Sequence, residues 1–225
     1  MIDVSEIRKF YDEKYSAMLE NTFPCDIVRF ESWLDGVLPM VGRQSRVLDV
    51  GCGVGFVCSY LEGKGYEAQG CDISVKALQL AKASFPKNSF NLMEEPEKLP
   101  YDSDYFQLVT CFGVLEHSLT PDQLVQEISR VLRKGGYGVF VVANSWSPYF
   151  WRGGTNQVIE IPRSCGYWHK LFTSSRLVVE KVKRDPGPAW HRNFSLGKKI
   201  KWVLHKSMNF LPLKLTYQFV FIVRK

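Results

Sequence analysis

The stretch Val47-Leu48-Asp49-Val50-Gly51-Cys52-Gly53-Val54-Gly55 constrains this chain more than any other. A short apolar run closed by alternating glycines reads as a buried strand that turns sharply into a helix. The turn leaves backbone open to the close approach of a ligand. The same residues narrow the ligand. A dinucleotide fingerprint would need a glycine where Phe56 stands, and no GK[ST] phosphate loop is present. Asp49 lies in the strand just before the turn, where a carboxylate crowds a diphosphate and suits a cofactor with an ammonium group and no phosphate. Asp72 follows 17 residues after Gly55, at the predicted end of the next strand. A carboxylate there can accept hydrogen bonds from both hydroxyls of a ribose.

Around this loop, strands and helices alternate. Strands are predicted at 46–50, 66–71, 89–91, 105–110, 137–143, 177–182 and 216–223. Helices are predicted at 56–62, after Ser74 (a cap, with Ala77, Leu78 and Ala81 in helical register), and from Pro121 to Leu132. The last has proline at its start and Gly135-Gly136 beyond its end. The alternation predicts an α/β fold, a doubly wound, mostly parallel sheet with helices on both faces. Residues 1–43 carry Ile7, Phe10, Tyr11, Lys14 and Met18, then Val28, Phe30, Trp33, Leu34 and Val37, at helical spacing. They predict a helical lid on the sheet's C-terminal edge, ahead of a main domain at 44–225. After Asn144 the regularity fades. Residues 145–172 hold seven aromatic positions and read as a cover for a flat or apolar acceptor, or as a dimer contact. Residues 184–214 form a second insertion.

In combination, VLDVGCGVG, CDIS with Asp72, LPYDSDYFQLV and EISRVLRKGGYGVFVV resemble the class I S-adenosylmethionine-dependent methyltransferases, near the subgroup that modifies small metabolites. The resemblance covers residues 44–143. It implies a Rossmann-like, seven-stranded sheet whose last strand is antiparallel and sits next to the sixth. It implies S-adenosyl-L-methionine as cofactor. The turn through Gly51, Cys52, Gly53 and Gly55 would wrap the methionine moiety, with Asp49 orienting the turn and the amino group. Asp72 would hold the ribose, Ile73 would pack on the adenine, and Glu94 or Glu95 would meet the adenine amine. Cys111 and Phe112 would line the methionine end, and Tyr11 would close over the cofactor.

Methyl transfer is an in-line displacement at an activated carbon, so placing an acceptor near the methyl and excluding water suffices unless the acceptor must lose a proton. For that task His117, seven residues after the end of strand four, is the candidate base. Tyr15, four residues after Tyr11 on one helical face, is an acceptor-side candidate, with Trp146, Tyr149, Asn156, Tyr167 and His169.

The function expected is methylation of an oxygen or nitrogen of a small metabolite. An alternative is a lipid-linked or quinone-like acceptor at a membrane surface. It is motivated by charge: residues 176–225 carry a net +10 against −4 for the rest, and a basic amphipathic helix is predicted at 195–208. A second alternative is a cofactor-binding regulatory or scaffold protein that has lost transfer. A nucleic-acid acceptor is disfavoured, because Cys111-Phe112-Gly113-Val114 stands where amino-methylating enzymes of that kind would carry an NPPY-like run. The six scattered cysteines form no CxxC pair, which argues against a metal site and for reduced thiols. With no secretory leader and no long apolar run, a cytoplasmic protein is expected. Self-association stays open.

Overall fold

The computed structural model describes residues 4–17, 27–148, 159–187 and 212–225, together with residues 202, 203, 206, 207 and 210. The elements are α1 (Val4–Ser16), α2 (Ile27–Leu34), α3 (Leu38–Val41), β1 (Arg46–Val50), α4 (Phe56–Gly63), β2 (Glu67–Asp72) and α5 (Val75–Ser84). There follow β3 (Ser89–Leu92), β4 (Phe106–Phe112), α6 (Pro121–Val131), β5 (Leu132–Ala143), α7 (Cys165–Ser174), β6 (Val178–Arg184) and β7 (Gln218–Arg224). The seven strands lie in the order β3-β2-β1-β4-β5-β7-β6. All pairings from β3 across to β5 are parallel. β7 enters between β5 and β6 and runs antiparallel to both. This is the topology expected above.

The two-residue period of the strands sorts side chains to two cores. Leu48, Val109, Phe140 and Phe221 point to the face covered by α6 and α7. Val47, Leu108, Val139 and Val220 point to the face covered by α2, α4 and α5. In these strands nearly every residue is apolar, because both faces are covered.

Three elements depart from the sequence reading. β5 starts at Leu132 rather than Tyr137. Leu132 already pairs with Phe106, and the register then slips so that Tyr137 pairs with Leu108. The glycines read as a stop lie inside an irregular first half of the strand, where Gly135 adopts φ 76°. The second N-terminal helix breaks into α2 and α3 at Gly36, φ 81°. Of the described residues in 1–43, those of α1 alone border the cavity described below. Trp33, Leu34 and Val37 instead belong to a sheet core, with the Trp33 ring 4.8 Å from that of Phe112. Finally, residues 145–172 are not uniformly irregular. Ser164 caps α7 by accepting a hydrogen bond from the Tyr167 N–H, and Trp168, Leu171 and Phe172 are buried on one face at helical spacing. The Trp168 indole N–H donates to the Ala143 carbonyl. Residues 149–158 and nearly all of 188–211, including most of the predicted 195–208 helix, lie outside the described residues.

Candidate active site

Parallel strands bring their C-terminal ends to one edge, and the cavity lies there. Its described walls are Gly51 after β1, Asp72 and Ile73 at the end of β2, Met93 after β3, Phe112 and Gly113 at the end of β4, and His117 and Ser118 beyond. Val4, Ile7, Tyr11, Lys14 and Tyr15 of α1 close it from above.

The glycine turn is shaped by what packs on it. Gly51 and Gly53 have φ of 70° and 51°, a region that L side chains rarely adopt. A Cβ at Gly53 would stand 2.7 Å from the Tyr15 hydroxyl, and one at Gly51 would run into Val114. Gly55 opens α4 with φ 84°.

Two carboxylates lie beneath this turn. Asp72 Oδ2 accepts the Gly53 N–H and Oδ1 the Ser74 N–H, both at 2.8 Å. Each oxygen retains acceptor capacity toward the cavity that Asp72 lines. Burial raises the Asp72 pKa against the opposing pull of those N–H groups. Asp49 is buried behind the turn, where its Oδ1 lies 2.6 Å from the Thr110 hydroxyl. Burial pushes its carboxyl up to about 7.

His117 sits in a short 3-10 turn, Leu115–His117. Its Nδ1 bonds the Ile159 carbonyl. A carbonyl can only accept, so Nδ1 carries the proton and Nε2 keeps its lone pair. Burial lowers the imidazole pKa below its ordinary 6.5, so the ring is neutral at pH 7. The adjacent Glu116 is buried, and its Oε2 has no hydrogen bond among the described residues. Burial pushes this carboxyl up to about 8, so it is largely protonated at neutral pH.

The lid helix is latched by residues with no local sequence signature. Arg8 donates to the carbonyls of Ile73, Met93 and Glu94. Asp12 accepts from the Ser74 hydroxyl at 2.6 Å and the Lys76 N–H at 3.0 Å, adding a second cap to α5. Their partners lie 62–86 residues away in sequence, so only the fold reveals the latch.

Other predicted residues fall elsewhere. Cys52 and Cys111 are buried behind the cavity wall. Glu94 and Glu95 are exposed on the outside, whereas Met93, Pro96 and Glu97 line the cavity. Trp146 is 59% exposed, and Tyr167 and His169 ride on the outer side of α7; none of the three lines the cavity. Tyr149 and Asn156 lie outside the described residues.

The comparisons with known proteins agree with this geometry. Residues 48–140 match the family model described as "Methyltransferase domain". The chain superposes on a TehB-like SAM-dependent methyltransferase from Corynebacterium glutamicum with a TM-score of 0.64, covering 96% of this chain and 99% of that one at 20% identity. The chain has the class I S-adenosylmethionine-dependent methyltransferase fold. The fold by itself leaves the reaction open: the [4+2]-cyclase SpnF superposes with a TM-score of 0.65 at 15% identity, covering 89% of this chain and 81% of that one. By sequence, the chain is 31% identical over 155 residues to the ubiquinone biosynthesis O-methyltransferase of Paracidovorax citrulli, covering 65% of this chain and 64% of that protein. It is 28% identical over 188 residues to that of Albidiferax ferrireducens, covering 78% and 73%. The alignments to the first two curated relatives span 64% and 49% of their lengths.

The cavity's residues fit S-adenosylmethionine. Asp72 offers acceptors for a ribose diol, Ile73 and Met93 offer apolar surface to a flat ring, and Gly51 and Gly113 allow close backbone approach. The Asp72 carboxylate, which lines the cavity beside the turn, favours a cofactor bearing ammonium and sulfonium charge over one bearing phosphates. Among the described residues no group of His, Cys, Asp and Glu is arranged to hold a metal ion, and no helix is long and apolar enough to cross a membrane.

Proposed function

We propose that this chain is an enzyme that methylates a hydroxyl oxygen of a small aromatic acceptor resembling a quinone precursor. The observation that carries the reading is His117, neutral and held with its Nε2 lone pair available, on the wall of the cofactor cavity. A hydroxyl acceptor must lose its proton, and this is the group placed to take it. The sequence relatives named as ubiquinone biosynthesis O-methyltransferases support a quinone-like acceptor over an unspecified small metabolite. Exposed Leu119 and buried Leu124 give the same cavity apolar surface for an aromatic ring.

When bound, the cofactor supplies an electrophilic methyl on sulfur. The chain's own part is positional and protic. Asp72 and the glycine turn hold the cofactor in register. α1, latched through Arg8 and Asp12, excludes water from the cavity. His117 accepts the acceptor's proton at Nε2, while the Ile159 carbonyl stabilises the imidazolium formed. In this arrangement Tyr15 belongs with the methionine end, against Gly53, and Tyr11 with the wall that it shares with His117; burial, and after it the nearby Asp72, raise the Tyr11 pKa. A cytoplasmic setting belongs to this reading.

The test is turnover with isotopically labelled S-adenosylmethionine on a panel of catechols, hydroquinones, aromatic amines and aliphatic carboxylates, with products identified by mass and NMR. O-Methyl products from the catechols and hydroquinones are expected. Transfer confined to nitrogen or carbon, or cofactor binding without transfer to any acceptor, overturns the reading. The last outcome would favour a scaffold that has lost its chemistry.

A further inference from the structure

We infer that Lys14, carried by the lid helix, is a further positioning residue of the acceptor site and holds the acceptor oxygen as its anion beside His117. The inference rests on the O-methylation reading above and adds the ionisation state of the substrate.

Lys14 is on the inner face of α1. Val4, Ile7, Tyr11, Lys14 and Tyr15 recur at helical spacing and line the cavity, while Glu6, Lys9 and Glu13 are exposed. The register of this face is fixed by Arg8 and Asp12, each hydrogen-bonded to the main domain. The ammonium lies 5.3 Å from the centre of the Tyr11 ring, within the cavity wall that also holds His117. Its burial lowers its own pKa, and its charge contributes to lowering that of His117. Among the described residues, the other ionisable groups lining this space are Tyr11 and Tyr15 of α1, Asp72 at the end of β2 and Glu97 after β3, with Glu116 and Glu160 close enough to Tyr11 to act on it.

The chemistry makes the cation necessary. A phenol ionises near pH 10, whereas His117 titrates below 6.5. Such a weak base removes that proton poorly without help. A cation within about 4–6 Å lowers an acid's pKa by roughly 1–3 units, which narrows the mismatch. In the resulting step the hydroxyl proton passes to His117 Nε2 and an oxygen electron pair forms the new O–C bond. The C–S bonding pair returns to sulfur, which becomes a neutral thioether. Lys14 stabilises the charge on oxygen throughout and exchanges no proton.

The experiment compares the full chain with Lys14→Met, which keeps the apolar stem, and Lys14→Arg, which keeps the charge. Two acceptors are used: catechol, and the more acidic 4-nitrocatechol, whose ionised and neutral forms absorb differently. For catechol, Lys14→Met should lower kcat/KM by roughly 10–100-fold, with a much smaller loss for 4-nitrocatechol. Lys14→Arg should recover most of the rate. With S-adenosylhomocysteine bound, the titration of bound 4-nitrocatechol should move to higher pH in Lys14→Met. Affinity for S-adenosylhomocysteine should stay within twofold. Equal losses on both acceptors, an unmoved spectroscopic titration, or weakened S-adenosylhomocysteine binding would overturn the inference; the last would place Lys14 on the cofactor instead. If the wild-type chain binds 4-nitrocatechol but transfers no methyl, the spectroscopic shift still decides Lys14, and the functional reading alone fails.

Discussion

Replacing Asp49 by Asn should stabilise the ligand-free protein at alkaline pH and far less at acidic pH. Asp49 is buried behind the glycine turn, and its pKa rises from the ordinary 3.8 to about 7 through burial, opposed by the Thr110 hydrogen bond. The Thr110 hydroxyl lies 2.6 Å from Asp49 Oδ1 and 3.3 Å from the Leu48 carbonyl. Protonated Asp49 can donate to Thr110, which then donates to Leu48. Ionised Asp49 claims the Thr110 proton and leaves that carbonyl without it. Between pH 3.8 and about 7 the folded chain therefore binds more protons at this site than the unfolded chain, and stability falls as pH rises. At about 1.4 kcal/mol per pH unit the whole fall comes to a little over 4 kcal/mol, of which roughly 3 kcal/mol lies between pH 5 and pH 8. Asn has nothing to titrate and can still accept from Thr110. For a chain of this size, 1 kcal/mol corresponds to roughly 2–4 °C in Tm. The variant's Tm advantage over wild type should thus grow by roughly 6–12 °C from pH 5 to pH 8. Calorimetric scans of both proteins at the two pH values give this number, and groups titrating alike in both cancel. A Tm difference that does not change with pH would refute the placement of a protonated carboxyl under the turn.

Three further outcomes are expected. Asp72→Ala should weaken S-adenosylhomocysteine binding by roughly 1.5–3 kcal/mol, the loss of charge-assisted hydrogen bonds, with the fold retained by circular dichroism; unchanged affinity would remove Asp72 from the ribose site. His117→Ala should lower turnover by roughly 10²–10⁴-fold and abolish an acidic limb of the pH–rate profile, one that in wild type rises with pH through a value below 6.5. A profile that keeps that limb in the variant would assign it to another group. Asp185→Ala should cost about 3 kcal/mol or more of stability, measured by urea unfolding, because buried Asp185 accepts from Arg29 at 2.7 Å and from the Trp33 indole at 2.9 Å. A change below 1 kcal/mol would show that α2 is held by packing alone.

The part of the fold legible in the sequence is the part whose hydrophobic period is local. β1 through α6 alternate between strand and helical spacing, and the glycine turn with Asp72 marks the edge where the strands end. α7 was hidden because aromatic residues crowd both its faces. The usable signal was Ser164 as cap with Trp168, Leu171 and Phe172 at helical spacing. The early start of β5 was hidden because Gly135-Gly136 stops a helix as readily as it relaxes a strand. Within the site, the groups that touch the cofactor cavity from the sheet edge follow from motif spacing. The placement of Tyr15 against Gly53 and the latch through Arg8 and Asp12 depend on docking α1 across the sheet edge, a tertiary arrangement that no local pattern encodes. Glu94 and Glu95 illustrate the converse. Their sequence position suited an adenine contact, but the chain after β3 turns both outward.

The central claim is that the edge of the sheet under α1 is a site for S-adenosylmethionine. Isothermal titration of the purified chain with S-adenosylhomocysteine and, separately, with NAD tests it most directly. The account predicts one S-adenosylhomocysteine per chain, with affinity reduced in Asp72→Ala, and no saturable heat with NAD. Preferential binding of NAD, or binding of S-adenosylhomocysteine indifferent to Asp72, would contradict it.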